Sequence, residues 1–156
     1  MRKPFVAANW KMHKTVDESV DYVRRFLPLV NPDADVDIVV APSFLALPAL
    51  VEATRNSRVG VAAQNVNAKP QGPFTGEVSL GMLQASGIEF VIIGHSERRQ
   101  LYGETNADVN AKVLASVDAG LTPIVCVGET LAEHEADTTF EVIERQIREG
   151  LADLTT

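Results

Sequence analysis

The sequence predicts an α/β fold: about five parallel βα units that form part of a (β/α)8 barrel. Three observations carry this. Short apolar runs recur at residues 5–8, 38–41, 59–63, 90–93 and 124–127, each rich in Val, Ile or Phe and without polar alternation, as strands buried on both faces require. Helical patterns lie between the runs, at intervals of roughly 20 to 35 residues, which is the spacing of right-handed βαβ units. The turn after the first run reads Ala8-Asn9-Trp10-Lys11-Met12 and holds no glycine, where an open doubly wound sheet usually carries a Gly-rich turn. A complete barrel takes about 250 residues in eight units, so the 156 residues here cover an incomplete one. No linker or low-complexity tract interrupts them, and residues 1–156 are expected to form a single domain.

The elements follow in order. After the first strand, Val16, Val20, Val23, Leu27 and Val30 step by four and three and make one apolar stripe, with Thr15 and Glu18 as a capping box at its start. A shorter helix follows Pro42-Ser43, before the third strand. Residues 64–79 have neither helical nor strand period and carry Pro70, Gly72, Pro73 and Gly76. Structureless loops beyond ~12–15 residues inside compact domains are usually functional or disordered. After the fourth strand a helix is expected to start near His95, and another runs from Asn106 to Val117, with Gly120 placed to end it. Thr130 and Glu133 repeat the capping box ahead of a last helix, whose stripe is Phe140, Ile143, Ile147, Leu151 and Leu154.

Composition narrows the function. Hydrophobic residues make up 46% and charged residues 22%, a globular mix. The net charge of −7 argues against a nucleic-acid partner, since phosphate neutralisation needs clustered Lys and Arg. It leaves room for a small anionic substrate that answers to one or two cations in a cleft. Cys126 is the single cysteine, so no intrachain disulfide forms, and a reducing, cytoplasmic setting is expected. The apolar run after Lys3 breaks at Asn9, too short for an export signal, and no stretch approaches a membrane span.

In α/β barrels the active site lies where strands end and loops begin. The expected strand ends collect Asn9 and Lys11, Gln64 and Asn65, His95, Ser96 and Glu97, and Gly128 and Glu129. The ordinary structural readings are a solvated lysine, a solvated helix turn with salt-bridge partners at Glu97, Arg98 and Arg99, and a structural hydrogen bond at Glu129. His95 precedes a helix start whose N-terminus can hold its imidazole neutral. Convergence on one rim is what favours chemistry. Other patterns fail. Asp33, Asp35 and Asp37 look like the start of a calcium loop, but Ile38 and Phe44 fall where a glycine and a bidentate glutamate are needed. Glu133-His134-Glu135 are consecutive on a helix and share no face for a metal. There is no P-loop and no GxGxxG.

Five blocks in order and register resemble the triosephosphate isomerase family: Ala8-Asn9-Trp10-Lys11-Met12, Gln64-Asn65, Phe74-Thr75-Gly76-Glu77, Gly94-His95-Ser96-Glu97-Arg98-Arg99 and Cys126-Val127-Gly128-Glu129. The resemblance implies a TIM-barrel enzyme of glycolysis and gluconeogenesis that interconverts dihydroxyacetone phosphate and glyceraldehyde 3-phosphate, with no metal or organic cofactor. It implies Lys11 as the cation for the phosphate and the developing enediolate, and Asn9 as the residue that sets that lysine and borders the substrate. It implies His95 as a neutral electrophile, a known feature of the family, and Glu97 as a proton-network or positioning residue. It also implies a homodimer. Asn65, Phe74, Thr75, Gly76 and Glu77 would belong to the interface, with Thr75 at the tip of loop 64–79 and Glu77 paired with Arg98 of a second copy.

The family's general base, lid and phosphate-gripping loops have no counterpart in these residues, whose last position, Thr156, falls in what reads as the fifth helix. The isolated chain is therefore expected to be inactive or very weak. Its open sheet edges are expected to be covered by self-association or by a complementary C-terminal fragment. A self-assembling inactive half-barrel and a phosphosugar-binding module are the alternative readings.

Overall fold

Five parallel strands pair strictly in chain order in the computed structural model, which describes residues 3–154. They are β1 (Phe5–Asn9), β2 (Asp37–Ala41), β3 (Val59–Ala63), β4 (Phe90–Ile93) and β5 (Thr122–Val125). The helices are α1 (Val16–Phe26), α2 (Leu47–Thr54), α3 (Leu80–Ala85), α4 (Ser96–Tyr102), α5 (Asn106–Asp118), α6 (Leu131–Glu135) and α7 (Thr139–Gly150), with 3-10 turns at Leu27–Leu29 and Phe44–Ala46. The sheet is a curled half-barrel. Its curl brings Phe5 of β1 against Phe90 of β4, ring centroids 5.6 Å apart, although two strands lie between them. The expected incomplete barrel of about five parallel units is the fold observed. Among the described residues no helix is long and apolar enough to cross a membrane.

Alternation along the strands divides the core in two. Val40 of β2, Val61 and Ala63 of β3 and Val91 and Ile93 of β4 face the helices, where they meet Val23, Leu50, Leu83, Val109 and Val113. Val39, Ala41, Ala62 and Ile92 face the concave side with Phe90, Ile124 and Cys126 packed on them. Ala41 and Ala62 leave room on that inner face for Ile92, Ile124 and Phe90, a mix of small and large side chains that fills a curved interior. The middle strands are buried on both sides, whereas β1 is an edge, and its Val6 remains 56% exposed.

Local signals explain most helix boundaries. Thr15 and Glu18 exchange both hydrogen bonds of the capping box at α1. Gly120, at φ 76°, closes α5 with paired bonds from its own N–H to Val117 and from the Leu121 N–H to Ser116. No glycine-free sequence would make that left-handed turn as cheaply.

The carboxy-terminal third departs from expectation twice. The fifth strand occupies residues Thr122–Val125 instead of 124–127. The N–H groups of Thr122 and Cys126 reach Glu89 and Ile93 of the β4 side, so the intervening Pro123 turns its nitrogen toward the open edge, where a missing donor costs nothing. An apolar count misses a strand that starts on Thr-Pro. The final helix is also two helices. The Thr130–Glu133 box heads only the five-residue α6. Asp137 then takes φ 59° and Thr138 bonds back to the Glu133 carbonyl before α7 begins. α7 ends at Gly150, and Leu151 and Leu154 lie past it; Thr156 falls outside the described residues. The stripe is buried only in part: Leu151 and Leu154 pack on the core and Ile143 is half-buried, while Phe140 is 86% and Ile147 44% exposed.

Replacing Leu50, which is fully buried, by Ala should cost about 2–5 kcal/mol through lost transfer energy and a cavity. Phe140→Ala should stay within about 0.5 kcal/mol. Urea unfolding followed by circular dichroism compares the two; equal midpoint shifts would show that the Phe140 face is covered in solution.

Candidate active site

The carboxyl ends of β1, β3 and β4 meet at a cleft of about 180 Å³, lined by Asn9, Lys11, Gln64, Asn65, His95 and Glu97 among others. Parallel strands all deliver their ends to the same rim, so residues 80 positions apart in sequence become neighbours.

Lys11 is built into this rim by its backbone. Its φ of 53° is a left-handed conformation that costs a residue with a Cβ. Two side chains hold it there. Asn9 Oδ1 accepts from the Lys11 N–H at 2.9 Å, an Asx turn. Gln64 Nε2 donates to the Lys11 carbonyl and to the Ala41 carbonyl, each at 2.8 Å. Gln64 thus ties the first loop to the ends of β2 and β3. The side chain of Lys11 extends to Glu97, Nζ to Oε1 at 2.7 Å, with both groups about half exposed.

His95 caps α4. The N–H of Glu97 donates to its Nδ1 at 3.2 Å. An imidazole nitrogen that accepts carries no proton, so this bond selects the neutral ring with its hydrogen on Nε2. Glu97 Oε2 lies 3.6 Å from the same Nδ1 without displacing that bond. The Lys11 ammonium, through its hydrogen bond, holds the Glu97 carboxyl below the ordinary value of 4.5, against a smaller opposing push from burial.

Beneath the rim a second charged group supports the loop after β3. Asn65 is buried and its Oδ1 accepts from Lys112 Nζ at 2.8 Å. Lys112 is also paired with Glu104, whose side chain is only 3% exposed, and Arg98 Nε lies 3.7 Å from the same carboxyl. Arg98 stacks over the Tyr102 ring at 5.0 Å. Phe74, Thr75, Gly76 and Glu77 lie instead on the exposed outer part of loop 64–79, away from the cleft lining. That loop is ordered by its own bonds: the Asn67 and Val78 backbones meet at 2.8 Å, and Asn67 Nδ2 donates to Glu77 at 3.0 Å.

Sequence reasoning brought Asn9, Lys11, His95 and Glu97 together, and the cleft does hold all four. It also placed Gln64 on this rim without giving it a role, and placed Gly128 and Glu129 there, which lie outside the cleft lining. It had no signal for Glu104 and Lys112, which read as ordinary surface charges. The double hydrogen bond of Gln64 depends on where two distant carbonyls point, which no local pattern encodes. Among the described residues no cluster of His, Cys, Asp and Glu could hold a metal ion. A cation and a neutral N–H donor flank one small cleft, a pairing suited to stabilising negative charge as it develops on an oxygen.

Fold and rim together define the amino-terminal five units of a (β/α)8 barrel. Residues 4–156 match the family described as "TIM: Triosephosphate isomerase". The triosephosphate isomerase of Moorella thermoacetica is 53% identical over the whole of this chain and 62% of its own length. Those of Syntrophotalea carbinolica and Endomicrobium trichonymphae are 51% and 49% identical over 99% of this chain, and 61% and 62% of their own lengths. The chain belongs to the triosephosphate isomerase family. It spans about 61–62% of the length of these relatives, their amino-terminal part.

Removing the Lys11 charge should raise the Glu97 titration midpoint toward 4.5. Because the folded value is depressed, the pair's contribution to stability is present above 4.5 and fades as pH falls through the lower folded midpoint. A carboxyl-carbon NMR titration of wild type and Lys11→Met reads this directly; identical midpoints would deny the coupling.

Proposed function

We propose that this chain serves the interconversion of dihydroxyacetone phosphate and glyceraldehyde 3-phosphate in the cytoplasm, by proton abstraction through an enediolate. The observation that carries the reading is the Glu97 N–H held to His95 Nδ1 beside the Lys11 ammonium in one cleft. Removing a proton next to a carbonyl is difficult because charge accumulates on the carbonyl oxygen. A fixed cation and a neutral donor stabilise that charge better than water, which must reorganise to do so. In this reading Lys11 faces the phosphate and the enediolate, His95 donates from Nε2, Asn9 sets Lys11 and borders the substrate, and Glu97 orients the pair. An imidazolium would be more acidic, yet poorly matched to the carbonyl and costly to hold in a dry site.

The one carboxylate in the cleft lining among the described residues is Glu97, and it is engaged by Lys11. The 156-residue polypeptide by itself therefore has no free base, a deficit of about 10²–10⁴ in rate. Joined to the remaining segment of the Moorella thermoacetica relative, the chain should isomerise triose phosphate. His95→Gln and Lys11→Met should each lower that activity about 10²–10³-fold. A coupled dehydrogenase assay decides. Turnover by the polypeptide alone that disappears in Lys11→Met would overturn its inactivity, and a silent joined protein would overturn the function itself.

The chain's partner in this reading is a second copy of itself, met through loop 64–79. Met12 and Tyr102, both on the cleft lining, are 95% and 71% exposed, and Phe74 is exposed on the loop, an apolar set beside the rim that a partner would cover. Arg98 turns its Nε inward to the Glu104 carboxyl at 3.7 Å, while its side chain stays 30% exposed, which leaves guanidinium surface for an acceptor such as Glu77 of a second copy. The open edges β1 and β5 add surface that a further copy or a complementary carboxy-terminal fragment would take. Size-exclusion chromatography with light scattering should find the chain associated; a well-behaved monomer at high concentration would contradict this.

A further inference from the structure

His95 is only as well placed as the peptide that precedes it. That peptide begins at Gly94, which sits at φ 73° immediately after β4. A Cβ there would lie 2.9 Å from Val109 and 3.1 Å from Arg99 Nη2, so the turn is tight as well as left-handed. Arg99 Nε donates to the Gly94 carbonyl at 2.8 Å. Since a peptide group is planar, fixing the direction of that carbonyl fixes the plane from which His95 departs.

The guanidinium is itself oriented from outside the rim. Arg99 Nη1 donates to Asn106 Oδ1 at 2.6 Å, at the first turn of α5. Asn106 Nδ2 donates to Glu149 Oε2 at 2.7 Å, near the end of α7. A carboxylate can only accept, so Glu149 leaves Asn106 one orientation, with its oxygen toward Arg99. The result is a directed chain of hydrogen bonds from α7 through α5 to the Gly94–His95 peptide. The planar fork of arginine suits it, because two of its donors serve two acceptors at once.

We infer that Arg99 and Asn106 are positioning residues for His95, and that Glu149 sets their orientation, so that the helix after β5 is coupled to the imidazole tautomer on β4. This rests on the functional reading above for its catalytic meaning, but not for its test. The pair does not touch the cleft; it acts through the Gly94 carbonyl and the backbone bond from Glu97 to His95 Nδ1.

The test uses the full 156-residue chain with ¹⁵N-labelled histidine. Its three histidines can be assigned by substitution, and His13 and His134, both exposed, serve as internal controls. In wild type, His95 should show the two widely separated ring-nitrogen signals of a single Nε2–H tautomer. Arg99→Lys and Asn106→Ala should move the two signals toward each other, with His13 and His134 unchanged. Glu149→Ala should act in the same direction, and Glu149→Gln, which keeps an acceptor, should restore the wild-type pattern. A merely structural Arg99 would lower stability and leave these shifts alone. Folded Arg99→Lys and Asn106→Ala proteins with wild-type His95 signals would overturn the inference. Should Arg99→Lys fail to fold, Asn106→Ala decides alone, because alanine suits a helix's first turn. An inactive joined enzyme with the wild-type tautomer pattern would remove the functional reading and leave this one standing.

Discussion

Parallel pairing in chain order is the constraint on which everything else at the rim depends. Asn9 pairs with Ala41 and Ile93 with Val125, while Ala63 pairs with Val91, two residues before β4 ends. Ends that fall within two residues of one another present their loops to a common space, and only then can Lys11, Gln64 and His95 meet. A slip of one residue in any ladder would exchange the concave and helix-facing side chains. It would put Val40 where Ala41 now sits and crowd the narrow inner face. The side chains of that face and the position of the site are therefore two consequences of one register.

The strength of the rim does not come from its ion pair. Lys11 and Glu97 are about half exposed, and pairs of that kind add little to stability. Their attraction instead decides where the lysine head resides. The rigid part lies in the backbone: Lys11 is gripped at its N–H by Asn9 and at its carbonyl by Gln64. Neither bond uses the ammonium. The loop can thus hold a strained φ without using the charge, which pairs with Glu97. Under the proposed function, this rigid backbone leaves the ammonium to exchange Glu97 for the anionic substrate.

Much of this was readable in the residues, and the failures share a cause. The capping box at Thr15 and the glycine at 120 are local chemistry, and local chemistry reads correctly whatever the rest of the fold does. The four rim residues were readable because strand ends converge in any barrel. Phe140 misled for a different reason. A helical period marks a face suited to burial, but not whether a neighbour covers all of it, and here its Phe140 end looks outward. Pro123 hid the start of β5 because edge strands tolerate what inner strands forbid. The contacts of Gln64 with Lys11 and of Lys112 with Asn65 span about 50 residues, and no short window along the chain contains both ends. Glu104 lies only eight residues from Lys112, but its burial is set by the fold.

The buried pair under Asn65 shows how a stable fold and a polar site can be reconciled. Burying Glu104 and Lys112 without each other would leave an uncompensated charge, which typically costs about 3–5 kcal/mol. Together they compensate one another, and a second ammonium donor goes to Asn65 Oδ1. That bond pins the start of a long loop whose outer part is held mainly by bonds within the loop itself. The loop therefore leaves β3 in a defined direction although its tip is exposed. A hydrophobic replacement of the pair could be equally stable, yet it would offer no donor to Asn65. The charge is kept because it specifies an orientation, and the orientation places Gln64, one residue earlier, where its amide can reach both the first loop and the end of β2.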